Sequence, residues 1–120
     1  MIKKLETDFK HIDDRGTICQ VLSIPNSQVN YLFTKKGAKR GCHYHKKNHE
    51  YFYIINGKIQ ISAYSVNNTA QTEKYVFETG ELFVVEPLAM HDFAFLEDTH
   101  MVVIYDRGVE TEDGKDIFTE

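Results

Sequence analysis

Long apolar runs are missing from this 120-residue chain. No stretch approaches the ~18 consecutive apolar residues of a membrane-spanning helix, and the opening MIKKLETDFK has no apolar centre of the kind a signal peptide needs. Neither a membrane span nor export is indicated, so the cytoplasm is the expected compartment. Cysteine is sparse: Cys19 and Cys42 are the only two. Such a pair in a chain without an export signal reads as two free thiols rather than a disulfide framework. Positive charge is also in deficit, the formal net charge being −4. That argues against a general nucleic-acid binder, whose affinity comes mainly from neutralising phosphates with Lys and Arg. Helical periodicity is lacking too, since no long segment repeats its apolar residues at the spacing of a helix face.

The composition that remains, 42% hydrophobic and 27% charged, is that of a soluble globular protein. At this length one domain with one core is expected, spanning residues 1–120. Segments rich in Val, Ile, Tyr and Phe recur at short spacing: TICQVLSI, VNYLF, EYFYII, KIQISAY, KYVFE, LFVV, HDFAFL and HMVVIY. Turn signals separate them at Pro25-Asn26, Lys36-Gly37, Asn56-Gly57, Asn67-Asn68, Thr79-Gly80 and Glu97-Asp98. An antiparallel all-β sandwich or barrel with little helix follows. Asn56-Gly57 is the strongest hairpin signal, because a two-residue type I′ turn needs positive φ at both central positions; it would join EYFYII to KIQISAY. In KIQISAY, Ile59, Ile61 and Ala63 alternate with polar residues, as in a strand with one buried face. EYFYII is apolar on both faces and is expected to be covered on both, by the N-terminal segment or by another subunit. The tail from Glu110 to Glu120 is mostly acidic and reads as solvated, with Ile117 and Phe118 able to dock.

Three histidines and a glutamate fall within GCHYHKKNHEYFYIING, residues 41–57. His43 and His45 are two apart, so on an extended chain both point to the same side. Glu50 shares the face of Phe52 and Ile54 and would aim into the same interior, whereas His49 falls on the opposite face. A fourth candidate, His91, begins HDFAFL and can be brought close by a strand folded back across a barrel. Three imidazoles and a carboxylate suit Fe, Mn, Ni, Zn or Cu with open positions for substrate, so the ligand set does not name the metal. His11, His49 and His100 read as ordinary surface or hydrogen-bonded residues. Cys42 should face away from the site as a small packed thiol. Lys35, Lys36, Lys39, Arg40, Lys46 and Lys47 bracket the histidines, either as a solvated loop or as an anion-attracting rim. Tyr44, Tyr51 and Tyr53 read as packing residues on an outer sheet face that would suit a dimer interface.

Gly37, His43, His45, Glu50 and Gly57 meet the spacing G-x5-H-x-H-x4-E-x6-G, and the chain here closely resembles the cupin superfamily. Gly80 and His91 follow at the separation of the second cupin signature, with departures: Pro87 is one position late, Ala89 replaces a glycine and Phe95 replaces an asparagine. The resemblance covers about residues 30–105, and it implies a double-stranded β-helix, the jelly-roll cupin barrel. Strands within residues 1–29 would precede that core and an acidic tail, 106–120, would follow it. It also implies a divalent transition metal (Zn, Ni, Mn, Fe or Cu) held by His43, His45, Glu50 and His91.

RGCHYHK, residues 40–46, is similar to the R-G-x-H-x-H-K segment of the 3,4-ketoisomerases of nucleotide-linked 4-oxo-6-deoxy sugars. The HYH run followed by Glu50 also resembles the cupin domain attached to capsular-polysaccharide reductases, and IDDRG, residues 12–16, is similar to a D-x-R-G of sugar epimerases and ketoisomerases. What these resemblances imply is an isomerase or epimerase of polysaccharide biosynthesis that moves a proton α to a carbonyl, with a homodimer as the working form. Arg40 and Lys46 would attract the diphosphate, and Tyr53 would contact substrate. Without metal, His43 and His45 are the catalytic pair, with His43 the preferred base. With metal they are ligands, and the base lies elsewhere, at Tyr44, Tyr53 or His49. Glu50 stands where the ketoisomerases commonly carry a neutral residue, which counts against the metal-free version. Two other functions fit the same residues: a metal-dependent dioxygenase or lyase acting on a small organic acid, and a non-catalytic sugar- or effector-binding cupin. The partner is a small molecule in each case, with neither nucleic acid nor membrane involved.

Overall fold

Alternation of apolar and polar residues over short runs makes each segment a strand with one face to bury, and the chain satisfies those faces by stacking two antiparallel sheets. A computed structural model describes residues 1–25, 28–107, 110–111 and 114–119, with the side chains of 110, 111, 114 and 115 outside that description. Asn26 of the expected Pro25-Asn26 turn and much of the acidic tail therefore lie outside the described residues. In chain order the strands are β1 (Ile2–Leu5), β2 (Phe9–Asp13), β3 (Gly16–Gln20), β4 (Gln28–Thr34), β5 (Lys39–His43) and β6 (Glu50–Asn56). There follow β7 (Lys58–Ser65), β8 (Asn68–Glu78), β9 (Leu82–Val85), β10 (Ala89–Phe95), β11 (Thr99–Tyr105) and the short pair β12 (Glu110–Thr111) and β13 (Gly114–Lys115). No helix occurs among the described residues, and so none that is long and apolar enough to cross a membrane.

One sheet has the order β1-β9-β6-β11-β4 and the other β5-β10-β7-β8, the crossed arrangement of the double-stranded β-helix. Their inner faces meet in an aromatic core. Phe83 of β9 stacks between Phe52 and Phe77 at centroid separations of 5.0 and 4.3 Å, and Phe93 of β10 meets Phe52 edge-on at 5.0 Å. Ile59, Ile61 and Ala63 of β7 are buried as their alternation requires. Met101, Val103 and Tyr105 present the inner face of β11. β2 and β3 stand apart as a two-stranded hairpin, so TICQVLSI yields a short peripheral strand rather than a core one. The molecule is correspondingly long, 50 × 33 × 23 Å.

Two sequence expectations change here. Asn56-Gly57 does not close a hairpin, because β6 pairs with β9 and β11 whereas β7 pairs with β10 and β8. Asn56 lacks the positive φ of a type I′ turn, and Gly57, at φ 135°, is a corner that passes the chain from one sheet to the other. Two hydroxyls fasten the corner: Gly57 N donates to Thr79 Oγ1 at 2.9 Å and Lys58 N to Thr99 Oγ1 at 3.2 Å. Nor does the chain itself cover β6 on both faces, which leaves another subunit as the expected cover. Phe52 and Ile54 are buried, but Tyr51 and Tyr53 are half-buried and Ile55 is exposed. The N-terminal β1 lies beside β9 in the same sheet instead of covering it, and the strand buried throughout is β9.

A Cβ at residue 57 would sit 2.6 Å from Thr99 Cα, in a backbone conformation that side chains rarely adopt. Gly57→Ala is therefore expected to destabilise the fold by about 1–3 kcal/mol, the range of forced overpacking, read as a lowered urea midpoint at unchanged m-value. An unchanged midpoint would mean that the corner relaxes freely.

Candidate active site

The site is assembled from both sheets. His43 ends β5 directly opposite His91 of β10. A bulge sets that register: Gly41 and Cys42 have φ of 105° and 60°, and the ladder skips Cys42 between His43 and Gly41. The backbones approach so closely that a Cβ on Gly41 would lie 2.7 Å from the His91 carbonyl oxygen, which is why glycine precedes the cysteine. The bulge also turns Cys42 outward. The cysteine faces away from the histidines as expected, yet it is exposed rather than packed, and its Sγ reaches Asp92 Oδ1 at 3.4 Å. That carboxylate pushes the thiol above its ordinary range.

His45 lies just beyond β5, and Glu50 opens β6 in the opposite sheet after the 46–49 loop. His43, His45, Glu50 and His91 converge, each offering a ligand atom such that all lie within 4.8 Å of one another. His45, Glu50 and His91 are at most 4% exposed, and His43 is half-buried. Glu50 Oε1 is 2.6 Å from His45 Nε2 and 3.4 Å from His91 Nε2. Neither His45 Nε2 nor Glu50 Oε1 makes an aligned hydrogen bond, although the two atoms lie side by side in the cluster.

The far nitrogens are tied down. His91 Nδ1 donates to the Ala89 carbonyl at 2.8 Å, and His45 Nδ1 donates to the Asp116 carbonyl. Because a carbonyl only accepts, both rings present an unprotonated Nε2 to Glu50 when neutral. Histidines anchored in this way, with the other nitrogen free, have the arrangement of metal ligands. Ligand atoms at about 2.0–2.2 Å from one ion lie up to roughly 4.4 Å apart, so the cluster needs only small adjustments to hold a divalent transition metal.

Burial pushes the imidazoles of His43 and His91 below their ordinary pKa, opposed in each case by the Glu50 carboxylate. Burial acts the same way on His45, but Glu50 and the Asp116 carbonyl outweigh it and the net direction is upward. Tyr105, cross-strand from Glu50 on β11, was not singled out from the sequence. Its burial and the nearby Glu50 carboxylate raise the phenol to about 12, so at neutral pH it is a proton donor. The alternation of Met101, Val103 and Tyr105 in HMVVIY was the signal available for it.

The cluster forms the floor of a cavity whose walls include Phe52, Phe93, Met101, Tyr105 and Ile117, with Arg40 at its edge. Arg40 Nε donates to Thr34 Oγ1 at 2.8 Å, which fixes the guanidinium there. Other expected contributors lie elsewhere. Lys46 is exposed and places its Nζ 4.2 Å from the centre of the Phe118 ring. Tyr53 is on the opposite face of β6 from Phe52 and does not line the cavity. Tyr44 stacks on Phe118 at 5.6 Å instead of joining Tyr51 and Tyr53 on the sheet face, so Ile117 and Phe118 do dock. His49 pairs with Asp106 at 2.9 Å, His100 with Tyr31, and His11 with Asp13 in the hairpin. Arg15 of IDDRG sits at the hairpin tip, paired with Asp13 at 2.8 Å.

The family model described as polysaccharide biosynthesis C-terminal domain matches residues 11–109. The chain belongs to this family. Among solved structures it resembles the sugar 3,4-ketoisomerase QdtA from Thermoanaerobacterium thermosaccharolyticum in complex with TDP, with TM-score 0.79 and 17% identity over 99% of this chain and 88% of that one. A 3,4-ketoisomerase from Helicobacter canadensis gives 0.77 and 16% over 99% and 90%. The capsular polysaccharide assembling protein CapF from Staphylococcus aureus gives 0.68 and 24% over 92% of this chain but 33% of that one. At these identities the likeness is one of fold, the all-β jelly roll. A search of curated proteins finds no match.

Proposed function

We propose that this member of the polysaccharide biosynthesis family is an isomerase or epimerase that removes and returns a proton α to the carbonyl of a nucleotide-linked 4-oxo sugar. The observation that carries the reading is a cavity with three histidines, one glutamate and one arginine in a chain that superposes over nearly its full length on 3,4-ketoisomerases. A mutant of QdtA is also known in complex with TDP-4-keto-6-deoxyglucose, a sugar of the class proposed.

His45, Glu50 and His91 form the tight, deeply buried part of the cluster, and in this reading these three would hold a divalent transition metal and leave His43, the half-buried member, unligated. When bound, such an ion supplies Lewis-acid polarisation of the carbonyl and charge stabilisation of the enediolate. His43 stands nearer the solvent and is kept neutral by burial, which suits it to accept a proton. It takes the proton from C3 as the C3–H electrons form the C3–C4 double bond and the carbonyl electrons move to O4. Return of a proton to the other face of C3 inverts that centre. Delivery to C4 instead, with the proton on O3 passing to O4, moves the ketone to C3. Tyr105, protonated and beside Glu50, is placed to donate a hydrogen bond to a developing oxyanion. Arg40 at the cavity edge is suited to the diphosphate.

The same reading includes a homodimer. Val29, Tyr31, Phe33 and Ile55 leave the outer face of the β1-β9-β6-β11-β4 sheet apolar and exposed, and Phe9, Ile12 and Ile18 do the same on the β2–β3 hairpin. A two-stranded hairpin is at best marginally stable alone, and a second copy offers each apolar surface the other as cover.

Three measurements test these statements. In deuterium oxide, a thymidine-diphosphate 4-oxo-6-deoxy sugar is expected to gain deuterium at C3 with the protein and to exchange at the uncatalysed rate without it. No enzyme-dependent exchange with any nucleotide-linked 4-oxo sugar would remove the isomerase reading. Protein purified without chelator should carry close to one equivalent of divalent transition metal by elemental analysis. His43→Asn should keep that metal while losing at least ~100-fold in exchange rate, the low end of general-base contributions; loss of both would make His43 a ligand instead. Light scattering should give twice the mass of one chain, and Tyr31→Glu with Ile18→Glu should shift it to a single chain.

A further inference from the structure

The loop from Lys46 to Asn48 joins His45 to the strand that carries Glu50, so its shape sets the spacing between two residues of the cluster. Its three consecutive backbone N–H groups point inward to one place, the kind of concavity that binds an anion. Asp116 fills it. The Lys46 amide donates to Asp116 Oδ1 at 2.8 Å, and the Lys47 and Asn48 amides donate to Oδ2 at 3.0 Å each. The same residue's backbone carbonyl accepts from His45 Nδ1. One amino acid therefore grips the loop with its side chain and the imidazole with its main chain.

Its neighbours hold it there. Tyr44 and Phe118 exchange two backbone hydrogen bonds of 2.9 Å, their rings stack, and Lys46 lies over the Phe118 ring. Ile117, between the two anchors, lines the cavity. Residues 116–118 thus form a strap over the site from a part of the chain about 70 positions away. Asp116 remains ionised in this setting: burial opposes the charge, but the three amide bonds hold its carboxyl below the ordinary range.

We propose that Asp116 is a positioning residue of the site, fixing His45 as the Nδ1–H form with Nε2 turned to Glu50 and holding the 46–48 loop in the shape that brings the two together. This goes beyond the isomerase reading and does not depend on it, because the orientation of His45 can be read with no sugar present. A carboxylate that merely closed a surface loop would leave the ring's tautomer unaffected.

The test uses the full-length, 15N-labelled protein. Long-range 1H–15N spectra should show His45 in the Nδ1–H form with a slowly exchanging proton, whereas exposed His11 serves as an averaged reference. Asp116→Ala is expected to abolish the slow exchange and the single tautomer, and to weaken Co2+ binding to the chelator-treated protein by about 10–100-fold, the usual cost of losing the support behind a ligand. Asp116→Asn keeps an oxygen that accepts from the loop amides and should restore most of both. A folded Asp116→Ala protein whose His45 keeps one tautomer and slow exchange would overturn the proposal, as would absence of the Nδ1–H form in the unsubstituted protein. Should Asp116→Ala fail to fold, Phe118→Ala loosens the strap from its other anchor without touching His45. Faster Nδ1–H exchange in that variant supports the proposal, and unchanged exchange overturns it.

Discussion

A carboxylate buried between two imidazoles governs this structure. Glu50 sits in an otherwise apolar interior, where an isolated charge costs several kcal/mol even after relaxation. Its neighbours must therefore be fixed with care: His91 by the Ala89 carbonyl on its own strand, His45 by a carbonyl from the far end of the chain. Each tether points one ring nitrogen at the carboxylate, and His45 Nε2 has no hydrogen-bond partner. The result is a group of donor atoms aimed at one point, which is what a metal or a reacting sugar requires and what a core built for stability alone would avoid.

The rest of the fold serves that arrangement. The stack of Phe52, Phe83 and Phe77 with Phe93 edge-on holds the two sheets together directly behind the cluster, and Glu50 and His91 are each two residues from a member of it. Two close approaches then set the registers. Gly57 against Thr99 turns the chain from the Glu50 strand into the other sheet, and Gly41 against His91 makes the bulge that brings His43 opposite His91. Leu88 pays for the turn into β10 with a left-handed backbone, φ 65°, at a position just before Ala89, whose carbonyl holds the His91 ring.

Much of the site was legible because strand parity has a period of two. His43 and His45 on one side, Glu50 with Phe52 and Ile54, and His49 on the other side all follow from counting. The same counting along HMVVIY leads to Tyr105 once Met101 and Val103 are placed inside. Parity does not say which strands pair, and the Asn56-Gly57 hairpin failed on that point: Asn-Gly suits a tight turn, but each flanking strand finds better partners in a different sheet. Cys42 faces away from the site as counting expects but is exposed rather than packed, because the bulge made by the close packing of Gly41 on His91 turns it out of the ladder.

By itself the sequence determined the all-β class, the shared inward face of His43, His45 and Glu50, and the absence of any long apolar span, because each depends on spacing within a few residues or on composition; His91 joined that set only through what the family resemblance implied. The tertiary structure decided what depends on segments far apart in the chain. It put Tyr105 beside Glu50, turned Tyr53 away from the cavity, and brought Asp116 about 70 residues back to hold His45. Local pattern fixes which face a side chain takes; only the folded path fixes which distant backbone carbonyl is waiting there.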